Sequence, residues 1–346
     1  MRKKAFGVGV RLNDAESVRR YLKEKKLLRD DLKITKDDEC IYFPVVKIPA
    51  ELRKYKQVIK LFEERKIKPR SYKDIVSLPK KLRVELPTSY DIVGDIILIK
   101  LPNDLIKYQQ AIGEALLRAH KNIRTVCRIE PVSGELRTRY VVVIAGEHRT
   151  VTTHKEYGLS FLVDVQSTYF SPRLASERRR VTSLVQQKET IVDMFAGVGP
   201  FSIIIARYAH PKLVYAIDKN TEAVRLAKEN VRKNHVLDRV EVIQADAIDI
   251  AQVVPEKADR IIMNLPFSAL RFFSSALQIA HNNCMIHYYD IAKDEEIQGR
   301  IDSLKEIAND CSFELSHFSI RKMKTYAPRE FYIGIDITAR KRADVA

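Results

Sequence analysis

Two carboxylates and two glycines, close together in this 346-residue chain, could hold a small ligand. Asp193 ends a short apolar run, and Asp218 ends the next one. Gly197 and Gly199 lie in the turn between the runs, where they lack the Cβ atoms that would keep a ligand from the backbone. The helix beyond them offers unpaired N–H groups, and an acid at Asp218 suits a ribose diol. The spacing therefore predicts a nucleotide-like ligand.

The same stretch discriminates between kinds of nucleotide. A dinucleotide fingerprint would require a third glycine where the chain has Ser202, and a P-loop would require a Gly-Lys-Ser/Thr sequence, which is absent. Asp193 favours a ligand with a cationic end over a pyrophosphate. S-adenosylmethionine has both a ribose and a cationic end, so we expect it to be the cofactor.

An open α/β sheet would bring these residues together. Apolar runs at 191–194 and 213–217 flank a turn and a helix that begins at Pro200, which is the pattern of a βαβ unit. Further strands are predicted at 240–244, 260–263, 285–289, 314–322 and 331–337, with a helix at 221–234. Together they predict a Rossmann-like, seven-stranded sheet.

Polar groups follow the third and fourth strands of this sheet. Asp246 is placed to meet an adenine ring, and Asn264 precedes Leu265 and Pro266 at the carboxyl edge, where ligands of open α/β sheets bind. An Asn–Pro element there can present an amide and a carbonyl to a planar base. The alternative is an ordinary strand-ending turn.

Two smaller units are predicted before this domain. The first has strands at 5–12 and 40–48, a helix near 14–26 and a basic helix at 52–68, and residues 68–87 are predicted to be a linker. The second is an α+β unit with a helix at 103–120 and strands at 92–101, 125–129, 136–145, 149–154 and 159–165. A helix capped by Ser171, with Pro172 at its first position, leads into the predicted strand at 191–194. We therefore expect a small N-terminal α/β module at 1–70, a linker at 71–87, an α+β domain at 88–168 and a cofactor-binding domain at 169–346.

The net charge of +16 is unevenly distributed along the chain. Residues 1–70 carry +10, residues 71–180 carry +6 and residues 181–346 are neutral. A cationic surplus confined to residues 1–180 favours a polyanionic partner, and nucleic acid is the leading candidate. The alternative is a solvated Lys/Glu surface of the kind that heat-adapted proteins carry.

Cysteine usage and hydropathy exclude several classes of protein. The four cysteines are far apart and form no C-x-x-C pair, which argues against a zinc site and a disulfide framework. The chain contains no run of 18 apolar residues, and its first residues lack a signal-peptide core. We expect a cytoplasmic protein that needs neither a metal nor a membrane.

Several motifs together resemble one family. DMFAGVGPFS (193–202), AID (216–218), NLP (264–266), HYY (287–289), YFSPRL..ER (169–178) and YAPRE (326–330) are similar to the archaeal tRNA (guanine-37-N1)-methyltransferases. The GE.R.R segment at 134–139 and the AGE.RT segment at 145–150 extend the similarity. The resemblance implies a class I S-adenosylmethionine fold, a small N-terminal domain that senses tRNA, a middle RNA-binding domain at 88–168 and tRNA as the partner. We also expect a monomer.

The resemblance also implies roles for individual residues. N1 of guanine carries a proton at neutral pH, so a base must remove it while charge that develops on O6 is stabilised. By the family pattern Glu177 is the base, Arg137 stabilises O6 and Asn264, with Pro266, positions the guanine. The cofactor-binding set comprises Asp193, Phe195, Gly197, Gly199, Asp218, Asp246, Asn264 and Arg178.

Other functions remain open at this point. The related aminocarboxypropyl transferase of wyosine synthesis moves a different arm of the same cofactor, and some archaeal relatives methylate carbon 7 of a tricyclic guanine derivative. Glu177 could also do no more than pair with Arg173 or Arg180 on its own helix. A non-catalytic RNA chaperone would keep the positive charge but would need neither Glu177 nor Asp193.

Overall fold

A computed structural model describes residues 2–65, 71–130 and 139–342 of the chain. The chain forms two compact units, Met1–Asp74 and Ile75–Ala346. A four-residue helix crosses the sequence boundary between them.

The first unit is a four-stranded antiparallel sheet in the order β2-β3-β1-β4, covered by one longer helix. Its elements are β1 (Arg2–Val10), α1 (Ala15–Glu24), β2 (Thr35–Lys36), β3 (Ile41–Val45) and β4 (Lys56–Glu63), and α2 (Tyr72–Ile75) follows. Val18 and Leu22 of α1 are buried against Val8 and Phe43 of the sheet. The predicted strands at 5–12 and 40–48 and the first helix are confirmed.

The prediction of a basic helix at 52–68 is wrong within the described residues. Lys56–Glu63 forms a strand instead, paired along its whole length with β1. Phe62 is fully buried over Gly7, where an added Cβ would come within 2.8 Å of the Phe62 ring. Burial of this aromatic ring and pairing with β1 therefore override the helical preference of the lysines and glutamates.

The N-terminal part of the second unit forms a four-stranded sheet in the order β5-β6-β7-β8. Its elements are β5 (Asp91–Val93), β6 (Ile96–Ile99), α3 (Asn103–Ile106), α4 (Gln109–Ala119), β7 (Thr125–Ile129) and β8 (Val141–Gly146). The single strand predicted at 92–101 is wrong, because Gly94 adopts a φ of +57° and turns the chain between β5 and β6. The single helix predicted at 103–120 is divided into α3 and α4.

A separate hairpin, β9 (Val151–Glu156) and β10 (Leu159–Asp164), follows this sheet. Asn230 and Asn234, on a later helix, each accept from and donate to the backbone of the hairpin, at Leu162 and Ser160. These amides satisfy backbone groups that the hairpin would otherwise bury unpaired.

The rest of the chain builds the predicted seven-stranded sheet, in the order β13-β12-β11-β14-β15-β17-β16. The first five strands of that order run parallel to one another, and β17 pairs antiparallel with both β15 and β16. The strands are β11 (Thr190–Asp193), β12 (Leu213–Asp218), β13 (Val240–Gln244), β14 (Ala258–Met263), β15 (Ala280–Lys293), β16 (Phe313–Ala327) and β17 (Glu330–Lys341). The helices are α5 (Ala175–Leu184), α6 (Pro200–Tyr208), α7 (Thr221–Lys233), α8 (Ile250–Val253), α9 (Phe273–Ile279) and α10 (Ile297–Asp310). The predicted α/β fold class is confirmed.

Candidate functional site

The carboxyl ends of β11, β12 and β14 meet at one edge of the sheet and open onto a cavity of about 750 Å³. A cavity of this size suits a small organic ligand. The residues of the predicted cofactor set that line it are Phe195, Gly197, Asp218, Asp246, Asn264 and Arg178, and Pro266 lines it as well.

The glycine turn at the centre of this edge is closed by a long-range bond. The backbone N–H of Gly197 donates to Oδ2 of Asp218 at 2.7 Å, and the N–H of Asn220 donates to Oδ1 at 2.9 Å. Gly197 and Gly199 have φ angles of +56° and +84°, which favour glycine, and α6 begins at Pro200 directly after them. Burial raises the pKa of Asp218, so further hydrogen-bond donors, such as ribose hydroxyls, would favour its ionised form.

Asp193 lies beneath this turn and is completely buried. Its Oδ2 accepts a hydrogen bond from the Ser202 hydroxyl at 2.8 Å, whereas its buried Oδ1 has no hydrogen-bond partner among the described residues. Burial, with a smaller contribution from the charge of Asp218, raises the pKa of Asp193 to about 7. An unpaired acceptor with a raised pKa fits a nearby ligand with a cationic end, as S-adenosylmethionine has.

Contacts with neighbouring residues fix the other side chains that are predicted to bind the cofactor or position the base. Oδ1 of Asp246 accepts from the N–H of Ile248 at 3.1 Å and caps a short 3-10 turn. The Phe195 ring packs edge-to-face on Phe272, with centroids 5.2 Å apart. The hydroxyl of Tyr332 donates to Oδ1 of Asn264 and so fixes the orientation of that amide.

Glu177 is buried on α5 and is not among the described residues that line the cavity, although Leu174 and Arg178 on either side of it are. Arg180 donates to both of its carboxylate oxygens, at 2.8 and 2.7 Å, and the Tyr289 hydroxyl donates to Oε1 at 2.8 Å. Burial alone would raise the pKa of Glu177, but the hydrogen bonds and charge of Arg180 lower it overall. The carboxylate is therefore ionised, as a base must be. Arg173, the other pairing candidate, binds Asp91 instead at 2.5 Å.

Arg178, predicted to bind the cofactor, makes a buried salt bridge. Its Nε and Nη2 donate to the two carboxylate oxygens of Glu156 at 2.8 and 2.5 Å. The same guanidinium donates to the carbonyl of Ser171, which occupies the predicted N-cap position before Pro172, although its side chain makes no capping hydrogen bond. Arg178 thus ties the β9–β10 hairpin to the start of the helix that carries Glu177. The sequence contained no signal for Glu156, because only the fold brings it to Arg178.

Arg137, the predicted O6 stabiliser, lies outside the described residues. Its neighbour Arg139 lines the cavity and stacks on Tyr169, with Cζ 5.4 Å from the ring centroid. Sequence reasoning assigned no role to several other lining residues, although two of them, Tyr169 and Tyr326, lie within the quoted motifs. These residues are Lys100, Tyr169, Phe267, Arg271, Lys324 and Tyr326.

Phe267 stands out among these residues. It is 57% exposed and adopts a φ of +74°, which is uncommon for a bulky residue. Its backbone N–H donates to buried Asp290 at 3.0 Å, and its ring packs edge-to-face on Tyr326 with centroids 5.4 Å apart. Aromatic rings and cations in the lining of one cavity suit a nucleobase and its phosphates.

Two further findings concern the described residues as a whole. No group of three or more His, Cys, Asp or Glu side chains there could hold a metal ion. No helix in the described ranges is long and apolar enough to cross a membrane.

Comparison with protein-family models places three matches along the chain. Residues 152–316 match the TRM5/TYW2 methyltransferase domain, residues 72–150 match the TYW2 N-terminal domain and residues 7–53 match the tRNA methyltransferase 5 N-terminal domain. The three matches run in order over most of the sequence.

Individual relatives agree with these matches. The tRNA (guanine(37)-N(1))-methyltransferase Trm5b of Pyrococcus abyssi is 39% identical, over 96% of this chain and 98% of that protein. A solved complex of aTrm5 and tRNALeu is 34% identical with a TM-score of 0.75, over 97% of this chain and 99% of that chain. Methanocaldococcus jannaschii TYW2 in complex with AdoMet is 28% identical with a TM-score of 0.57, over 73% of this chain and 100% of that chain. The chain therefore belongs to the TRM5/TYW2 methyltransferase family.

Proposed function

We propose that this protein methylates N1 of the guanine at position 37 of tRNA, 3′ of the anticodon, with S-adenosylmethionine as the methyl donor. The observation that carries the proposal is the cavity itself. Its lining includes the glycine turn closed by Asp218 together with aromatic rings and cations that suit a nucleobase. The relative that is 39% identical over nearly the whole chain carries the name of this activity.

The cofactor, when bound, supplies an electrophilic methyl group on a sulfonium. Gly197 and Gly199 allow it to approach the backbone, Asp218 would bind its ribose and Asp246 would lie near its adenine. Phe195 lines the same cavity. The buried Asp193 would stabilise its cationic end through charge. Arg178 contributes by fixing the adjacent helix, since its guanidinium already binds Glu156.

The chemistry on the guanine requires removal of one proton. Glu177 is ionised and would accept the proton of N1, while Arg137 would stabilise the negative charge that develops on O6. Asn264, whose orientation Tyr332 fixes, and Pro266 would hold the edge of the base. Alignment of N1 with the methyl carbon then supplies most of the remaining rate enhancement.

The charge distribution supports tRNA as the partner, with residues 1–70 as a tRNA-sensing module, 71–87 as a linker and 88–168 as an RNA-binding domain. The methyltransferase domain would then span 169–346. A tRNA complex is known for a relative that matches nearly the whole chain. We infer that the protein acts as a monomer in the cytoplasm, and a reducing compartment agrees with its four free cysteines.

The alternative is a wyosine-pathway reaction, either carbon-7 methylation of a tricyclic guanine derivative or aminocarboxypropyl transfer. The TYW2 N-terminal match at 72–150 is the observation in its favour. The two proposals differ in substrate, because only N1 methylation acts on unmodified guanine.

The test uses unmodified tRNA with S-adenosylmethionine that is labelled either in the methyl group or in the aminocarboxypropyl chain. After digestion to nucleosides, we expect methyl label in 1-methylguanosine and none when guanine 37 is replaced by adenine. Label from the aminocarboxypropyl chain, or methyl label only on tRNA with the tricyclic precursor, would support the alternative. No transfer from either arm to any of these tRNAs would contradict both.

A further inference from the structure

Glu177 and Asp336 share two guanidinium groups. Nη2 of Arg180 donates to Oε1 of Glu177 at 2.7 Å and to Oδ1 of Asp336 at 3.1 Å, and its Nη1 donates to Oδ2 of Asp336 at 2.8 Å. Nη2 of Arg321 lies 2.8 Å from Oδ1 of Asp336 and 3.5 Å from Oε1 of Glu177. The two carboxylates thus contact the same nitrogen atoms, although they lie on α5 and β17.

Asp336 is anchored in turn by the sheet. Nε2 of the fully buried His287 accepts from Arg260 at 2.8 Å, so the proton of the ring lies on Nδ1, which donates to Oδ1 of Asp336 at 2.6 Å. Arg260 is held in place by two hydrogen bonds to Glu189, at 2.7 and 3.0 Å. Asp336 is therefore fixed by donors from both neighbouring strands, β15 and β16, and from α5.

The cluster is balanced in charge when Glu177 is ionised. Three carboxylates, Glu177, Asp336 and Glu189, face the three guanidiniums of Arg180, Arg321 and Arg260, and burial lowers the pKa of His287 so that it is neutral. Burial opposes the ionisation of Asp336, but the hydrogen bonds from His287, Arg180 and Arg321 hold its pKa well below the usual range.

We propose that Asp336 is a positioning residue for methyl transfer, which holds Arg180 and Arg321 so that they fix the Glu177 carboxylate beside the Tyr289 hydroxyl. The inference rests on the proposed function, because it requires Glu177 to be the base. Arginine side chains have many rotamers, and binding to a second fixed carboxylate removes that freedom. Asp336 also offsets part of the positive charge that would otherwise make Glu177 a weak base.

The groups that face Glu177 decide the direction of each pH effect. Arg180 of α5 and Arg321 of β16 stabilise the ionised carboxylate, and Tyr289 of β15 donates to it. Asp336 of β17, bound to the same two guanidiniums, adds a second negative charge that opposes the ionisation of Glu177. Removal of the Asp336 charge should therefore lower the pKa of Glu177, and removal of Arg180 should raise it, because burial is then opposed by less positive charge.

The test is Asp336→Asn, assayed in single turnover with saturating tRNA and cofactor. We expect the rate at pH 7 to fall by roughly 10- to 100-fold, the size that a displacement of about 1 Å produces. The dissociation constants for tRNA and S-adenosylmethionine should stay within about twofold of wild type, because the effect is on the reaction step. The acid limb of the pH–rate profile should move to lower pH.

Two companion variants separate positioning from general damage. Arg180→Met should move the acid limb in the opposite direction, by about one pH unit or more. Asp336→Glu keeps the charge and should recover part of the rate. In a double-mutant cycle, Asp336→Asn should cost less in the Arg180→Met background, because the two residues act through one contact.

Ile337→Ala is the matched structural control, since this buried core residue follows Asp336 on the same strand. It should lower the melting temperature without changing the rate or the pH profile. If Asp336→Asn behaves like Ile337→Ala while Glu177→Gln lowers the rate by roughly 100-fold or more, the inference is overturned and the proposed function stands. If Glu177→Gln retains the wild-type rate, the assignment of the base fails and the inference falls with it.

Discussion

The backbone N–H of Gly197 donates a hydrogen bond to Oδ2 of Asp218 at 2.7 Å. The turn after β11 and the acid at the end of β12 are therefore one structural unit, because the same carboxylate that suits a ribose also fixes the conformation of the glycine turn. A change at Asp218 should disturb both.

Asp218→Ala should weaken S-adenosylmethionine binding at least about tenfold, the cost of losing a hydrogen bond to a charged group. Asp218→Asn keeps one acceptor oxygen and should lose less. Isothermal titration calorimetry would measure both, with Asp238→Ala as a control because Asp238 is exposed. Unchanged affinity in Asp218→Ala would show that this carboxylate does not bind the ribose.

Asp193→Asn should stabilise the ligand-free protein at pH 8 while it weakens cofactor binding. The pKa of Asp193 is about 7 in the folded protein and about 4 in an unfolded chain, so the folded state binds the proton more tightly. The stability associated with that proton is complete below about pH 4 and is lost as the pH rises through 7. The asparagine variant has no charge to bury.

Urea denaturation of the wild type and of Asp193→Asn at pH 5 and pH 8 would check this prediction. The variant should gain of order 1–4 kcal/mol relative to the wild type at pH 8 and much less at pH 5. A variant that is less stable at pH 8 would contradict an unfavourable buried charge at this position.

Glu177→Gln should lower the single-turnover rate by roughly 10²–10⁴ and leave tRNA and cofactor affinity nearly unchanged, because a general base acts in the transition state. Since the pKa of Glu177 is lowered, the wild-type rate should fall only in acid, below the usual range of a glutamate, and the variant should lack that limb. Glu229→Gln makes the same change on an exposed part of α7 and serves as the control.

Arg137→Ala should also slow methyl transfer. Combined with Glu177→Gln, it should be less than additive, because both residues act on one developing charge. A fully additive double variant would mean that the two residues act independently.

Removal of residues 1–70, which carry +10 of the net charge of +16, should lower tRNA affinity and flatten its dependence on salt, because fewer counterions are released. The cofactor site lies within the second compact unit and should keep its affinity. Filter binding across a salt series would measure the slope. A slope equal to that of the full chain would show that the positive charges of residues 1–70 face solvent and do not contact tRNA.

The sequence by itself determined the parts of this protein that depend on local pattern. The run that ends at Asp193, the glycine turn and the run that ends at Asp218 predict β11, α6 and β12, because strand periodicity, positive-φ glycines and a helix-starting proline are local properties. The order of apolar segments likewise predicts the seven-stranded sheet. The net charge could also be assigned to segments, but the helix predicted at 52–68 was wrong, because residues 56–63 pair with β1 as a strand.

Only the tertiary structure decided which charged groups meet. Arg180 and Asp336 are 156 residues apart, and Arg178 and Glu156 are 22 apart across a hairpin and a helix, so no periodicity in the sequence relates either pair. The environment of Glu177 and the raised pKa of Asp193 depend on burial, which is set by how helices and strands pack rather than by residue type. The sequence therefore indicates the reacting groups, and packing sets their charge and orientation.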